Sequence, residues 1–267
     1  MRRKEIKAII RKKVKEIAAL AEDVDKDLGM EAIHAFRVAV KSLRSFLRLQ
    51  QMHSGSRKIR IAPRYKRLYD IAGAIREAQL EIAHWEKEDT YLPTYIAYLH
   101  HTIAQNKKEW RRYYTKKLFT RLRKDLDDIK YCPMDTGVPQ AFFAKRLAEA
   151  YELVSIPAPH AEQLHTARKR IKDVLYVAKT IAKEWPAAHE HIGDVPLKEL
   201  DKLADLVGVL NDERMRLEHL EVFVPHPDQQ AETDTIQLLK AKEHKLLTTK
   251  KTKAVRTLRS SLKTLHP

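Results

Sequence analysis

Five side chains in one stretch of the sequence have the chemistry to grip an anion. His34, Arg37, Lys41, Arg44 and Arg48 recur at steps of three and four. On an α-helix, turning about 100° per residue, they fall inside an arc of about 80°. Ile33, Phe36, Val40, Leu43 and Leu47 fill the adjoining arc, which makes that side a core face. An exposed helix face ordinarily interleaves acids with bases. Here no Asp or Glu occurs between Ala32 and Tyr69, against ten Lys or Arg. Like charges three or four residues apart repel by about 0.2–0.5 kcal/mol per pair, and by more where the face is partly enclosed. An external anion that quenches the row is the expected compensation. Arg offers forked donors to phosphate oxygens, and Lys a mobile point charge.

A second row repeats the design. His165, Arg168, Lys169, Lys172, Tyr176, Lys179 and Lys183 share one face, beside an apolar arc of Leu164, Ile171, Val174 and Ala178. Asp173 and Glu184 point away from it. Two further stretches are basic: Lys107–Lys124 and Lys240–Lys263 each hold nine Lys or Arg against one acid, Glu109 and Glu243 respectively. Lys66, Arg123 and Arg259 are secondary candidates for the same anion.

Other chemistries fit less well. Metal-ligating His needs donor companions and an acidic second shell, whereas His34 and His165 are each followed by Arg at the third position and Lys at the seventh. His100-His101 and His189-x-His191 are loose pairs without a nearby cysteine. A phosphorelay histidine is a single exposed His on a bundle, and two equivalent ones fit that poorly. No Ser-His-Asp spacing, phosphate-binding glycine loop or carboxylate cluster for Mg²⁺ is present, so no catalysis and no cofactor are expected. Nucleic acid is the main alternative partner for so basic a chain. Base readout wants mixed donors and acceptors, and single strands want aromatic platforms. These rows are almost wholly cationic, which favours phosphate alone. A His-based phosphorelay or metal-binding scaffold stays as the second alternative.

The elements that must hold these rows read as helices throughout. The chain has 267 residues, 52 Lys plus Arg against 36 Asp plus Glu (net +16), six Gly and one Cys. One cysteine excludes a disulfide scaffold, and six glycines argue against a turn-rich β architecture. No apolar run is long enough for a membrane span, and the charged start lacks the apolar stretch of a secretory leader, so a cytoplasmic protein is expected. Periodicity and punctuation predict helices over 2–27, 30–52, 64–89, 93–129, 139–154, 160–184, 197–223 and 229–264. Residues 131–139 read as a linker between a first half, 1–130, and a second half, 140–267. Three matches in the same order relate the halves. His34-x-x-Arg37-x-x-x-Lys41 pairs with His165-x-x-Arg168-x-x-x-Lys172, Gly73-x-x-Arg76-Glu77 with Gly208-x-x-Asn211-Asp212, and Leu122-Arg123 with Leu258-Arg259. The order indicates an internal duplication, four helices to each half. Gly73 and Gly208 sit inside helical patterns, where close helix crossing is the expected reason for them. Arg76-Glu77 and Asn211-Asp212 read as intramolecular partners of the basic helices.

These paired motifs resemble the CHAD domain (conserved histidine α-helical domain) across nearly the whole chain. The resemblance implies a single all-α domain of two pseudo-symmetric four-helix bundles with a basic channel or groove between them. It implies binding of inorganic polyphosphate, often on polyphosphate granules, and the expected partner is inorganic polyphosphate or other phosphate or sulfate anions. The family usually has Arg-Asp where this chain has Arg76-Glu77, and often a base where it has Leu175. Members are often fused to a triphosphatase domain with an alternating Glu-x-Glu-x-Lys strand. Glu86-Lys87-Glu88 is the nearest text here and lacks that lysine, so a stand-alone binding domain is expected.

Overall fold

A computed structural model of the chain describes residues 1–55, 59, 61–88, 90–192, 196–225 and 228–265, with the side chains of residues 189, 191 and 192 excepted. Arg57, Lys58 and Arg60, three of the ten cations in the acid-free stretch, lie outside the described residues, as does Asp89, the expected end of the third helix. The His189-x-His191 side chains lie outside them too. The described residues form ten helices and no strand. The chain divides into two compact units, Met1–Met134 and Asp135–Pro267.

The first unit holds α1 (Arg3–Asp27), α2 (Met30–Ser54), α3 (Pro63–Lys87), α4 (Pro93–Tyr113) and α5 (Lys116–Asp127). Its helices pack in series, α1 on α2, α2 on α3 and α3 on α4, with α5 on α1. The apolar stripe of α1 (Ile6, Ile10, Val14, Ile17, Val24) is buried, as are Ile33, Phe36, Val40, Leu43 and Leu47 on α2. Phe36 meets Trp110 of α4 edge to face at 5.6 Å, and the Trp110 indole donates to Asp25 at 3.0 Å. Such pairing adds about 0.5–1.5 kcal/mol beyond area burial. Leu28, not Gly29, takes the left-handed conformation that ends α1, with φ 55°. A non-glycine residue there costs about 1–2 kcal/mol, which the burial of the leucine side chain offsets. Met1 ties the end of the unit to its start: its ammonium donates to the Met134 carbonyl at 2.6 Å, and its own carbonyl accepts from the Met134 N–H at 2.9 Å.

The second unit holds α6 (Gly137–Ser155), α7 (Ala161–Glu184), α8 (Pro186–Ile192), α9 (Leu197–Val222) and α10 (Gln230–Leu265). Here α6 packs on α7, α7 on α9, α9 on α10, and α10 back on α6. The short α8 begins with Pro186 directly after Trp185, which caps α7, and rests on α6 and α7.

Each unit therefore has five helices among the described residues, where the periodicity predicted four. In the first unit the expected helix over 93–129 is broken in two. Tyr114 and Thr115 are extended, and the Tyr114 N–H closes α4 on the Trp110 carbonyl. Two aromatics and a β-branched residue in sequence give weak helix propensity. Tertiary packing then decides, because the Tyr114 ring stacks on Trp110 at 5.8 Å and meets Phe119 of α5 at 6.3 Å. The bend lets α4 cover α3 while α5 covers α1. In the second unit the added element is α8, and α10 runs unbroken.

Candidate functional site

On α2 the buried stripe turns His34 and the four cations to the unit's outside. His34 is exposed, and Arg37, Lys41, Arg44 and Arg48 are half-buried. Arg37 is the best fixed. Its Nη1 donates to the Tyr69 carbonyl of α3 at 3.1 Å, and its guanidinium lies over the Tyr69 ring, 4.6 Å from the centroid. Arg44 lies over the same ring at 5.6 Å. Glu77 stands 4.0 Å from Arg37 Nη2, at the outer limit of an ion pair. Gly73 makes room for this arrangement. A Cβ there would collide with Arg37 Nη1 and sit 3.0 Å from Cζ. Lys66 is exposed and bound to Asp70 at 2.6 Å, and Arg123 is exposed on α5.

The field around His34 is positive. Partial burial lowers its pKa first, and Arg76, Lys41 and Arg37 lower it further, against the opposing pull of Glu31. The free imidazole is therefore held neutral near pH 7, and a bound anion would reverse that preference.

The second unit repeats the anchor. Arg168 Nε donates to the Ala204 carbonyl of α9 at 2.8 Å, and a Cβ on Gly208 would sit 3.0 Å from Arg168 Nη2. In both units the accepting carbonyl belongs to the residue four before the glycine. The two glycines thus serve as seats for guanidinium groups where α2 meets α3 and α7 meets α9. The rest of the row departs from expectation. Lys172 donates to Asp201 at 2.9 Å and to Asp205 at 3.2 Å, and Lys179 lies 3.9 Å from Asp201. The Lys172 hydrogen bond, with the charges of Lys172 and Lys179, lowers the Asp201 pKa against the cost of burial. This row is partly neutralised by the protein's own acids. They sit on the neighbouring helix, where the single-helix reading did not look.

Lys169 and Lys183 are exposed, and Tyr176 is half-buried, its carbonyl accepting from Thr180 at 2.7 Å. His165 is half-buried and lines a cavity of about 120 Å³ with Leu164, Val207, Asn211 and Lys251. Arg259 belongs elsewhere. Its Nε donates to the Val154 carbonyl at 2.6 Å, and its Nη2 to the Ile156 and Pro157 carbonyls. It closes the carbonyl end of α6, a site a cation favours for its hydrogen bonds and the helix dipole. The sequence reading missed Tyr69 as a platform for two guanidiniums, and Asp201 and Asp205 as internal partners. A signal for Asp201 existed: it lies seven residues before Gly208, on the same helix face.

Among the described residues no group of three or more His, Cys, Asp or Glu is placed to hold a metal ion. No described helix is long and apolar enough to cross a membrane. Compared with known families, residues 8–221 match the model of the CHAD domain. No curated protein matches the chain.

Proposed function

The chain belongs to the CHAD domain family, and from that premise we propose that it binds inorganic polyphosphate through the cation rows of α2 and α7, without catalysis. The observation that carries the reading is the repeated anchor: Arg37 on the Tyr69 carbonyl over Gly73, and Arg168 on the Ala204 carbonyl over Gly208. Each arginine fixes the start of a row, and the following bases extend it along one helix face. We read the two units as the products of one duplicated helical bundle. On α2, His34, Arg37, Lys41, Arg44 and Arg48 are the proposed contacts, with Lys66 and Arg123 flanking them. On α7 they are His165, Arg168, Lys169, Lys172, Lys179 and Lys183, with Tyr176 beside them. Arg259 is the weakest of the proposed contacts, because its Nε and Nη2 bond carbonyls at the end of α6. Cytoplasmic residence and association with polyphosphate granules belong to the same proposal.

Polyphosphate presents about one charge per phosphate and no bases. Affinity should come from many modest contacts and fall steeply with salt, in the sense known for duplex DNA, where the log–log slope is about −0.9 per neutralised phosphate. Competition tests the reading. A labelled polyphosphate complex is titrated at fixed salt with unlabelled polyphosphate, RNA and duplex DNA, all at equal phosphate concentration. Polyphosphate should displace the probe best. Displacement led by nucleic acid overturns the proposal in favour of a nucleic-acid backbone binder.

A further inference from the structure

This inference rests on the polyphosphate reading and asks how the two rows share the work. Gly73 and Gly208 occupy matching places, so residues counted back from each can be compared. Seven residues back, two turns along the same face, α3 carries Lys66 and α9 carries Asp201. Three residues back, α3 carries Asp70 and α9 carries Asp205. In the first unit the lone acid of this pair, Asp70, is bound to Lys66 of its own helix at 2.6 Å. In the second unit both acids reach across to Lys172.

We infer that Asp201 is an internal counter-anion, which holds Lys172 and Lys179 in the unliganded chain and competes with phosphate for them. The geometry gives the reason. Lys172 has only three donors, and its side chain is 19% exposed. Asp201 and Asp205 take two of those donors at 2.9 and 3.2 Å. A phosphate oxygen that reaches the ammonium must displace a carboxylate or sit beside one, and like charges at that range repel. Asp201 also faces Lys179 at 3.9 Å, so one carboxylate quenches two members of the row. It is 43% exposed against 68% for Asp205, so its pairing with Lys172 is the less screened by water. Asp201 is therefore the stronger competitor. At the position that matches Arg44 of α2, α7 carries Leu175, which is buried in the core.

The test is the affinity of the full chain for a medium-length sodium polyphosphate at low salt, in wild type, Asp201→Asn, Asp205→Asn and Asp201→Lys. Asp201→Asn should bind about tenfold more tightly, a change of about 1.4 kcal/mol. Asp205→Asn should gain about threefold, and Asp201→Lys, which copies the first unit, should gain most. Circular dichroism checks that each variant keeps its helices, and Asp205→Asn carries the test if Asp201→Asn does not fold. Wild-type binding with no gain, or a loss, in the asparagine variants overturns the counter-anion and leaves the polyphosphate reading standing. A wild-type chain that does not bind polyphosphate at all overturns the reading itself, and this inference with it.

Discussion

The first unit and the second share an anchor and differ in what surrounds it. Both set an arginine from their second helix onto a carbonyl one turn before a glycine. Around that anchor the first unit adds Arg44, Arg48 and Lys66, with Glu77 4.0 Å from Arg37 and Asp70 on Lys66. The second unit places Asp201 and Asp205 against Lys172. The difference teaches that the anchor positions each row, while the balance of charge around it varies between the units. An arginine on a backbone carbonyl over a glycine holds two helices in register, and its neighbours can be basic or self-neutralised without disturbing it.

The sharpest way to break this comparison is to strip each row in turn. Lys41→Ala, Arg44→Ala and Arg48→Ala together should weaken polyphosphate binding by about 30-fold or more, since each lost phosphate contact is worth roughly 0.7–1.4 kcal/mol at low salt. Lys172→Ala, Lys179→Ala and Lys183→Ala together should cost only a few-fold, because Asp201 and Asp205 already quench part of that row. Fluorescence anisotropy at one salt concentration reads both, and equal losses would erase the distinction between the units.

The glycine seats give a smaller effect, read by thermal unfolding. Gly73→Ala puts a methyl group into the Arg37 guanidinium, 3.0 Å from Cζ, whereas Gly208→Ala leaves 3.5 Å to the Arg168 Cζ. Alanine gains about 1 kcal/mol of helix propensity in either place. Losing the arginine-to-carbonyl bond costs about 1.5–3 kcal/mol. Gly73→Ala should therefore destabilise by about 1 kcal/mol, and Gly208→Ala should come out near neutral. The reverse order would show that the guanidinium seats are not what the glycines serve. Arg259→Ala should destabilise the chain by about 1–2 kcal/mol through the freed carbonyls at the end of α6, seen as a lower melting temperature, while polyphosphate affinity stays within about twofold.

The pH dependence of His34 is the mildest test. Its pKa in the folded chain lies below the ordinary 6.5, so the unfolded chain binds the proton more readily. By linkage, this group's contribution to stability is present above 6.5 and is lost as pH falls through the depressed folded value. A polyanion on the row raises the pKa, so binding should take up protons and tighten as pH falls from about 7 to 6. Calorimetry in two buffers of different ionisation enthalpy counts those protons. Proton release on binding would place His34 away from the anion.

Much of this was legible from periodicity. The apolar arc beside the first row predicted that Ile33, Phe36, Val40, Leu43 and Leu47 are buried, and all five are. The order of the paired motifs brought out Arg37 and Arg168 as equivalents, and the structure gives them equivalent bonds. The break at Tyr114 was not legible, because no Gly or Pro marks it and the ring stacking that fixes it is tertiary. The pairing of Lys172 with Asp201 was hidden for a related reason. A wheel drawn for one helix cannot register the acids of the next, which become neighbours only when α7 packs on α9. Arg259 illustrates the same limit, since a basic run does not reveal which of its members meets a helix end.

Titration of the purified chain with labelled polyphosphate across a salt series addresses the central claim most directly. The account predicts saturable binding whose log affinity falls linearly and steeply with log salt, a slope of several units for several neutralised phosphates. Binding that is absent at low salt, or that holds its strength as salt rises, would contradict it.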